Sequence, residues 1–148
     1  MAPVHDRLSA VIVTTPQAVA LIDAMKCLSF TRAVNLPVLG LIENMSGYVC
    51  PCCGEISNVF STGGGEEMAR REDLKFLGSL PVDTELVTLL DAAEVSETQP
   101  PEEASEGASF KILSKYKNTS TAPLFAKIVE RVLQSLQNHT SGSSLSPS

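Results

Sequence analysis

The 148-residue sequence contains no tryptophan, and aromatic residues make up only 5% of it. It is also poor in basic side chains. There are 11 Lys and Arg against 17 Asp and Glu, which gives a net charge of −6 with neutral His. A chain with this balance lacks the positive field that holds nucleic acid or anionic membrane. The composition therefore argues against either kind of partner.

Long hydrophobic runs are also missing, since none reaches the roughly 18 residues that a membrane-spanning helix needs. The start, MAPVHDRLSAVIVTTP, has a short apolar stretch and no basic leading region, unlike a secretory signal. These absences predict a cytoplasmic, reducing location. There, the four cysteines suggest metal binding or reactivity more than disulfides. An apolar content of 43% is enough for a folded core.

Three short apolar runs have the composition of buried strands, and a helical pattern follows each of them. The strands are predicted at 10–13, 38–42 and 76–80, and the helices at 17–34, about 66–72 and 84 to about 93. This alternation predicts an α/β fold with a parallel sheet and helical crossovers. Three strands are few for a parallel sheet covered on both faces, so the pattern resembles half a domain.

The ends of the helices are predicted from local signals. Thr15 is expected to cap the first helix with Pro16 at its first position. The face toward the sheet is expected to consist of Ala18, Leu21, Ile22, Met25 and Leu28. The chain then divides into an α/β region, an acidic loop, an edge strand (Phe110 to Tyr116) with a final helix capped by Thr121, and a disordered tail. The α/β region is predicted at 1–93, with a cysteine loop at 48–54, and the acidic loop at 94–109. The edge strand and final helix are predicted at 110–137, and the tail at 138–148.

The strongest local signal is Cys50-Pro51-Cys52-Cys53-Gly54. Cys50 and Cys53 have the C-x-x-C spacing at which a turn lets two thiolates converge on one metal. Three interpretations stay open: half of a zinc knuckle, a redox dithiol, or half of a site completed by a second chain. In the last case two copies supply four thiolates, enough for a [4Fe–4S] cluster or for tetrahedral zinc.

Three polar or turn residues follow predicted strands. Asn44 comes after the second strand, and Pro81 and Asp83 come after the third. Ligands of open α/β sheets bind beyond the carboxyl ends of the strands, and a carboxamide suits the edge of an adenine. A turn role for Asn44 and a helix cap for Asp83 are the plain alternatives. The glycines at 63–65 are not predicted to bind phosphate, because Glu66 and Glu67 follow them and no Lys-Ser or Lys-Thr pair does.

Four blocks taken together resemble the Mrp/Nbp-type P-loop ATPases of the deviant Walker A, MinD-like class. They are TTPQ at 14–17, ENMSGYVCPCC at 43–53, FSTGGGEE at 60–67 and LGSLPVD at 77–83. The resemblance covers about residues 8–93, is nearest to the cytosolic iron–sulfur cluster assembly members, and implies the C-terminal half of a parallel-sheet P-loop domain.

The resemblance implies a cytosolic scaffold that assembles a [4Fe–4S] cluster and passes it to apo-proteins. Cys50 and Cys53 match the ligands that bridge two protomers. Asn44 matches the residue near the adenine of ATP, and Pro81 to Asp83 match the loop on the base's other side. The implied partners are a second copy, a longer paralogous scaffold and apo iron–sulfur proteins. The alternative is a zinc-bridged dimeric binding module without catalytic activity.

One departure from the family pattern bears on activity. The family's G-K-G-G-V-G-K-[ST] loop and its D-x-P-P-G switch motif do not occur in this sequence. The groups that hold phosphate and Mg²⁺ are therefore missing. We expect weak or no binding of ATP and no hydrolysis by this chain alone. We also expect an inner strand edge and one face of several helices to lie open.

Overall fold

The fold is described from a computed structural model, which covers residues 8–50, 52–57, 63–97 and 113–142. Strands and helices alternate along it. The strands are β1 (Ala10–Thr14), β2 (Val38–Val49), β3 (Ile56–Ser57) and β4 (Phe76–Val82). The helices are α1 (Ala18–Ala33), α2 (Gly64–Arg71), α3 (Thr84–Glu97), a single turn α4 (113–116) and α5 (Ala122–Gly142). The predicted α/β class is confirmed.

The sheet is built around β2, which is parallel to β1 on one edge and to β4 on the other. Glu43 lies opposite both Thr14 of β1 and Ser79 of β4. The end of β2 also forms an antiparallel hairpin with β3, where Tyr48 pairs with Ser57. The predicted parallel core is therefore confirmed. The hairpin was not predicted, because the segment after Ile42 was expected to be a loop.

Helices cover both faces of the sheet. Ile12 and Leu41 point toward α1 and α2, where they pack with Ala24, Leu28, Met68 and Ala69. The neighbouring residues Val11, Ile42 and Leu77 face the other way and pack with Ile128 of α5. Successive residues of a strand point to opposite faces, so each apolar strand serves two cores. Among the described helices, none is both long and apolar enough to cross a bilayer.

Gly40 of β2 makes close packing between strands possible. Its φ is +155°, and a Cβ there would collide with the carbonyl oxygen of Lys75 and the side chain of Leu77. No other residue fits this position without moving β4.

The first helix differs from the prediction at both its start and its face. Gln17, not Thr15, is the N-cap residue, and it makes no side-chain capping bond. The helix buries Ala24, Leu28 and Thr31, while Ile22 and Met25 are 55% and 42% exposed. Because α1 carries apolar residues around its whole circumference, its spacing did not single out the face that meets the sheet.

Two predictions for the C-terminal part are wrong where the structure describes it. Residues 113–116 form a helical turn, not the end of an edge strand, and 110–112 lie outside the described residues. Helix α5 continues to Gly142, so 138–142 do not belong to a disordered tail. The predicted acidic loop begins inside α3, which reaches Glu97. The remainder of that loop at 98–109 and the tail at 143–148 lie outside the described residues.

An inner strand edge of the sheet was expected to lie open. Within the described residues, β1 pairs with β2 and with no other strand. Large apolar side chains of β1 and of the helix that follows it are exposed: Val13 is 58% exposed, Val19 of α1 72% and Phe30 of α1 65%. The expectation is confirmed for this part of the chain.

Candidate nucleotide and metal site

Strand β2 bulges just beyond the core of the sheet. Asn44 lies opposite Leu80, but the next paired residue, Tyr48, lies opposite Val82. Three residues of β2 therefore stand against one of β4. Met45 and Gly47 adopt φ values of +57° and +124°, which is the left-handed backbone that a bulge often needs. Non-glycine residues in this conformation often occur at functional sites.

Asn44 is the residue on which the bulge begins, and its side chain is exposed. Its Oδ1 atom accepts a hydrogen bond from the Met45 N–H at 2.9 Å, so the carboxamide supports the left-handed turn. The residue also lines an open groove of about 480 Å³ along the free edge of β1. Asp23 and Cys27 of α1 line the opposite wall of this groove.

Pro81 is buried in β4, directly opposite the bulge. Proline has no N–H to offer a neighbouring strand, so it is tolerated where strand pairing is interrupted. The structure therefore places Pro81 next to Asn44 on neighbouring strands, at the carboxyl ends where the sequence predicted a nucleotide.

Asp83 has a different environment, because its carboxylate is 5% exposed and turned into the protein. One oxygen accepts hydrogen bonds from the N–H groups of Glu85 at 3.0 Å and Leu86 at 3.1 Å, which caps α3. The other accepts from the hydroxyls of Ser120 at 3.2 Å and Thr121 at 2.9 Å, ahead of α5. The capping role is thus present. Thr121 directly precedes α5 and its carbonyl accepts from the Phe125 N–H at 3.0 Å, which is the predicted cap position, while its hydroxyl donates to Asp83.

These contacts set the ionisation of Asp83. Burial alone would raise its pKa, but the hydrogen bonds from Leu86, Thr121, Ser120 and Glu85 outweigh burial and lower the pKa below its ordinary value. The carboxylate is therefore charged and fully engaged within the protein. It does not line the groove beside Asn44.

Three of the four cysteines, Cys50, Cys52 and Cys53, lie on a tight hairpin at the far end of β2. We call residues 48–50 and 52–57 the cysteine hairpin. The Cys50 N–H donates to the Glu55 carbonyl at 2.9 Å, and the Gly54 N–H donates to the Cys50 carbonyl at 2.8 Å. Gly54 has a φ of +70°, which lets the chain turn back after Cys53.

Cys50 is half-buried, whereas Cys52 and Cys53 are exposed. Hydrogen bonds from the N–H groups of Cys52 and Cys53 to the Cys50 sulfur lower the pKa of its thiol, and the Cys53 thiol adds to the effect. A turn that directs amides at its first sulfur stabilises the thiolate, the form that binds metal.

The described residues of one chain do not assemble a closed metal site. No group of three or more His, Cys, Asp or Glu side chains within them is arranged to hold a metal ion. Cys27 lies on α1, exposed to solvent, and does not join the cysteine hairpin. A structural zinc site normally has four ligands, so Cys50 and Cys53 alone leave a coordination sphere half filled.

Sequence reasoning missed Glu43, the residue before Asn44. Its side chain is 1% exposed. One carboxylate oxygen accepts from the Ser46 hydroxyl at 2.6 Å and the Gly63 N–H at 3.3 Å, and the other accepts from the Gly65 N–H at 2.5 Å. We call this group of contacts the Glu43 clamp. An acidic residue directly after a buried strand was a visible signal, but its two glycine partners lie 20 and 22 residues away.

The same contacts account for the glycine run. A Cβ on Gly65 would lie 3.0 Å from both Cβ and Oε2 of Glu43, so glycine lets the carboxylate approach the start of α2. The helix N-terminus attracts anions, and here Glu43 of the same chain is the anion. The prediction that these glycines do not bind phosphate agrees with this arrangement.

A parallel β–α sheet with helices on both faces and polar residues beyond its carboxyl ends defines the nucleotide-binding α/β class. A family profile described as "ParA: NUBPL iron-transfer P-loop NTPase" matches residues 1–117. The chain belongs to this family. The fold agrees with it: a nucleotide-binding protein from Archaeoglobus fulgidus, solved in complex with ADP, superposes with a TM-score of 0.51 at 35% sequence identity. That match covers 62% of this chain and 38% of the other.

Curated relatives share one name. The protein named Cytosolic Fe-S cluster assembly factor cfd1 from Neurospora crassa is 40% identical over 147 residues, covering 86% of this chain and 48% of its own length. The similarly named protein CFD1 from Mycosarcoma maydis is 58% identical over 86 residues, covering 58% of this chain and 24% of its own length. The chain thus spans between a quarter and a half of the length of these two relatives.

Proposed function

We propose that this chain is the cluster-binding part of a cytosolic iron–sulfur cluster assembly scaffold. Cys50 and Cys53 of two protomers hold one bridging [4Fe–4S] cluster, which is cargo to be passed to apo-proteins. The second protomer is either another copy or a longer paralogous scaffold. The names of the relatives support the role in assembly, and the assignment of the cysteines is our own step.

The cysteine hairpin is the observation that carries this proposal. It presents the thiols of Cys50 and Cys53 on one turn, and no group of three or more His, Cys, Asp or Glu side chains among the described residues is arranged to hold a metal ion. Soft thiolates select iron–sulfur clusters or zinc over hard cations. Two such hairpins related by a two-fold axis supply the four thiolates that either centre requires.

Anaerobic reconstitution with iron and sulfide, followed by metal analysis and absorption spectroscopy, distinguishes an iron–sulfur cluster from a zinc ion at this site. We expect a brown protein with visible sulfur-to-iron charge-transfer absorption and labile sulfide. A colourless protein that takes up zinc and no sulfide would overturn the cluster assignment. It would support the alternative, a zinc-bridged dimer without catalytic activity.

Asn44 and Pro81 are proposed to form the adenine side of a nucleotide site, in keeping with the ADP in the Archaeoglobus fulgidus protein. Their positions on neighbouring strands support this. For Asp83, the proposal is that it shapes this side through its hydrogen bonds to the start of α3.

Hydrolysis of ATP is not expected from these 148 residues on their own. The sequence has no lysine-containing phosphate loop, and the amides at the start of α2 are taken by Glu43. Phosphate release from ATP and Mg²⁺ should therefore stay at the level of a matched blank purification. A rate clearly above that blank, and lost in Asn44→Ala, would contradict the expectation.

A further inference from the structure

Glu43 occupies a position that no role in cluster or nucleotide binding explains. It is one of the largest fully buried side chains in the described chain. The described ion pairs are Lys26–Asp23, Arg32–Glu72 and Arg70–Glu67, so none involves it. A buried carboxylate without a cation costs free energy unless hydrogen bonds compensate for lost water. Three donors do so here, and all three are local to the site.

The donors come from two ends of one segment. Ser46 lies in the β2 bulge, before the cysteines, and Gly63 and Gly65 lie after them at the start of α2. The chain from 46 to 63 therefore leaves and returns at a single carboxylate, with Cys50 and Cys53 between its ends. Holding Ser46 and Gly63 at one carboxylate restricts the conformations of the cysteine hairpin and lowers the entropy lost when its cysteines are ordered by a ligand.

The clamp also touches the proposed nucleotide side. Ser46 stands within the bulge that begins at Asn44, and Met45 between them has a φ of +57°. Glu43 pairs through its backbone with both neighbouring strands. A change at this carboxylate would thus be felt at Asn44 and along the remainder of β2, which ends one residue before Cys50.

We propose that Glu43 is a positioning residue: the Glu43 clamp fixes the base of the segment that carries Cys50 and Cys53 and joins it to the bulge at Asn44. Through the clamp, the orientation of the cysteine hairpin depends on a residue that is neither one of the proposed metal ligands nor one of the proposed nucleotide-binding residues. The proposal that Glu43 positions the hairpin holds with or without a bound cluster. The further proposal that Glu43 affects cluster retention rests on the proposed function above.

The test compares amide hydrogen exchange, read at single residues, in the wild-type chain and three variants. Glu43→Gln keeps the size of the side chain but turns a donor toward the glycine amides. We expect exchange at the Cys50 and Gly54 amides to become about tenfold faster. Ser46→Ala removes one contact, and about threefold is expected at the same amides. Glu67→Gln, an exposed carboxylate on α2, is the control and should leave them unchanged.

If the Glu43 clamp stabilises only α2, the pattern of amide hydrogen exchange will be different. In that case Glu43→Gln would speed exchange at Gly65 and along α2 and leave Cys50 and Gly54 at the wild-type rate, which would overturn the proposal. If Glu43→Gln does not fold, Ser46→Ala decides: unchanged hairpin amides in that variant overturn the proposal equally.

Cluster release to an iron chelator adds the second readout. With Glu43→Gln folded, we expect release about tenfold faster than in the wild type, while Glu67→Gln keeps the wild-type rate. If amide exchange in the hairpin becomes faster but the rate of cluster release is unchanged, Glu43 does not contribute to cluster retention. A wild-type chain that takes up no cluster would contradict the proposed function instead, and the exchange pattern would still test the clamp.

Discussion

Replacing Cys50 or Cys53 by serine is expected to abolish cluster binding. In the proposed centre each chain supplies this pair, so one substitution removes two of the four thiolates from a shared centre. Even changes outside a ligand sphere cost 10–100-fold in metal affinity, so the loss of a ligand should exceed about a hundredfold. The measurement is iron and labile sulfide per chain after anaerobic reconstitution and desalting.

Two other cysteines provide matched controls for this result. Cys27 lies on α1, away from the hairpin, so the Cys27→Ser variant should retain the wild-type cluster content. Cys52→Ser keeps its backbone N–H toward the Cys50 sulfur and should retain the cluster as well. If Cys52→Ser loses the cluster and Cys53→Ser keeps it, the ligand pair is Cys50 and Cys52, and our assignment is wrong.

Replacing Asp83 by alanine is expected to lower the stability of the protein strongly. The substitution removes the cap of α3 and leaves the hydroxyls of Ser120 and Thr121 without their acceptor. A lost cap costs about 1 kcal/mol and each lost hydrogen bond about as much again. The free energy of unfolding should therefore fall by about 2–4 kcal/mol, as measured by urea titration at pH 7.

Asp91→Ala is the matched control, because Asp91 is an exposed carboxylate on the same helix. Its effect should stay within about 0.5 kcal/mol. Equal losses of stability in the two variants would show that the charge near α3, and not the hydrogen bonds of Asp83, stabilises this part of the protein.

The same residue should make stability depend on pH in the acidic range. The folded-state pKa of Asp83 is lowered, so the unfolded state binds its proton more readily. The contribution to stability is full above the unfolded pKa of about 3.9 and is lost as the pH falls through the folded value. Asp83→Asn, which keeps one acceptor oxygen for the cap, should flatten this part of the stability profile. A profile identical to that of the wild type would contradict the account.

The sequence was sufficient to predict features that depend on nearest neighbours. The β-branched runs at 10–13 and 38–42 became parallel strands, and Asp83, one residue before α3, became its cap. The face of α1 was predicted only in part: Leu21 and Leu28 pack in the core, but Ile22 and Met25 are exposed. Apolar residues surround that helix, and only the sheet decides which of them are covered. The strand expected to end at Tyr116 was wrong in the same way, since a short mixed segment fits either a helix or a strand.

The features of the candidate site also separate into those that depend on local sequence and those that depend on distant contacts. The C-x-x-C spacing and the asparagine after a strand were readable because each is a local pattern. The β3 hairpin, the bulge and the Glu43 clamp were not, since they depend on contacts between residues such as Glu43 and Gly65 that are far apart in the chain. The need for glycine at position 65 could not be predicted from local sequence, because its missing side chain makes room for the Glu43 carboxylate of β2.

The mass of the reconstituted protein under non-denaturing conditions tests the central claim most directly. The account predicts a species with twice the 15.7 kDa of one chain plus one iron–sulfur cluster, which separates into single chains when the cluster is removed. A single chain that carries a complete cluster would contradict it.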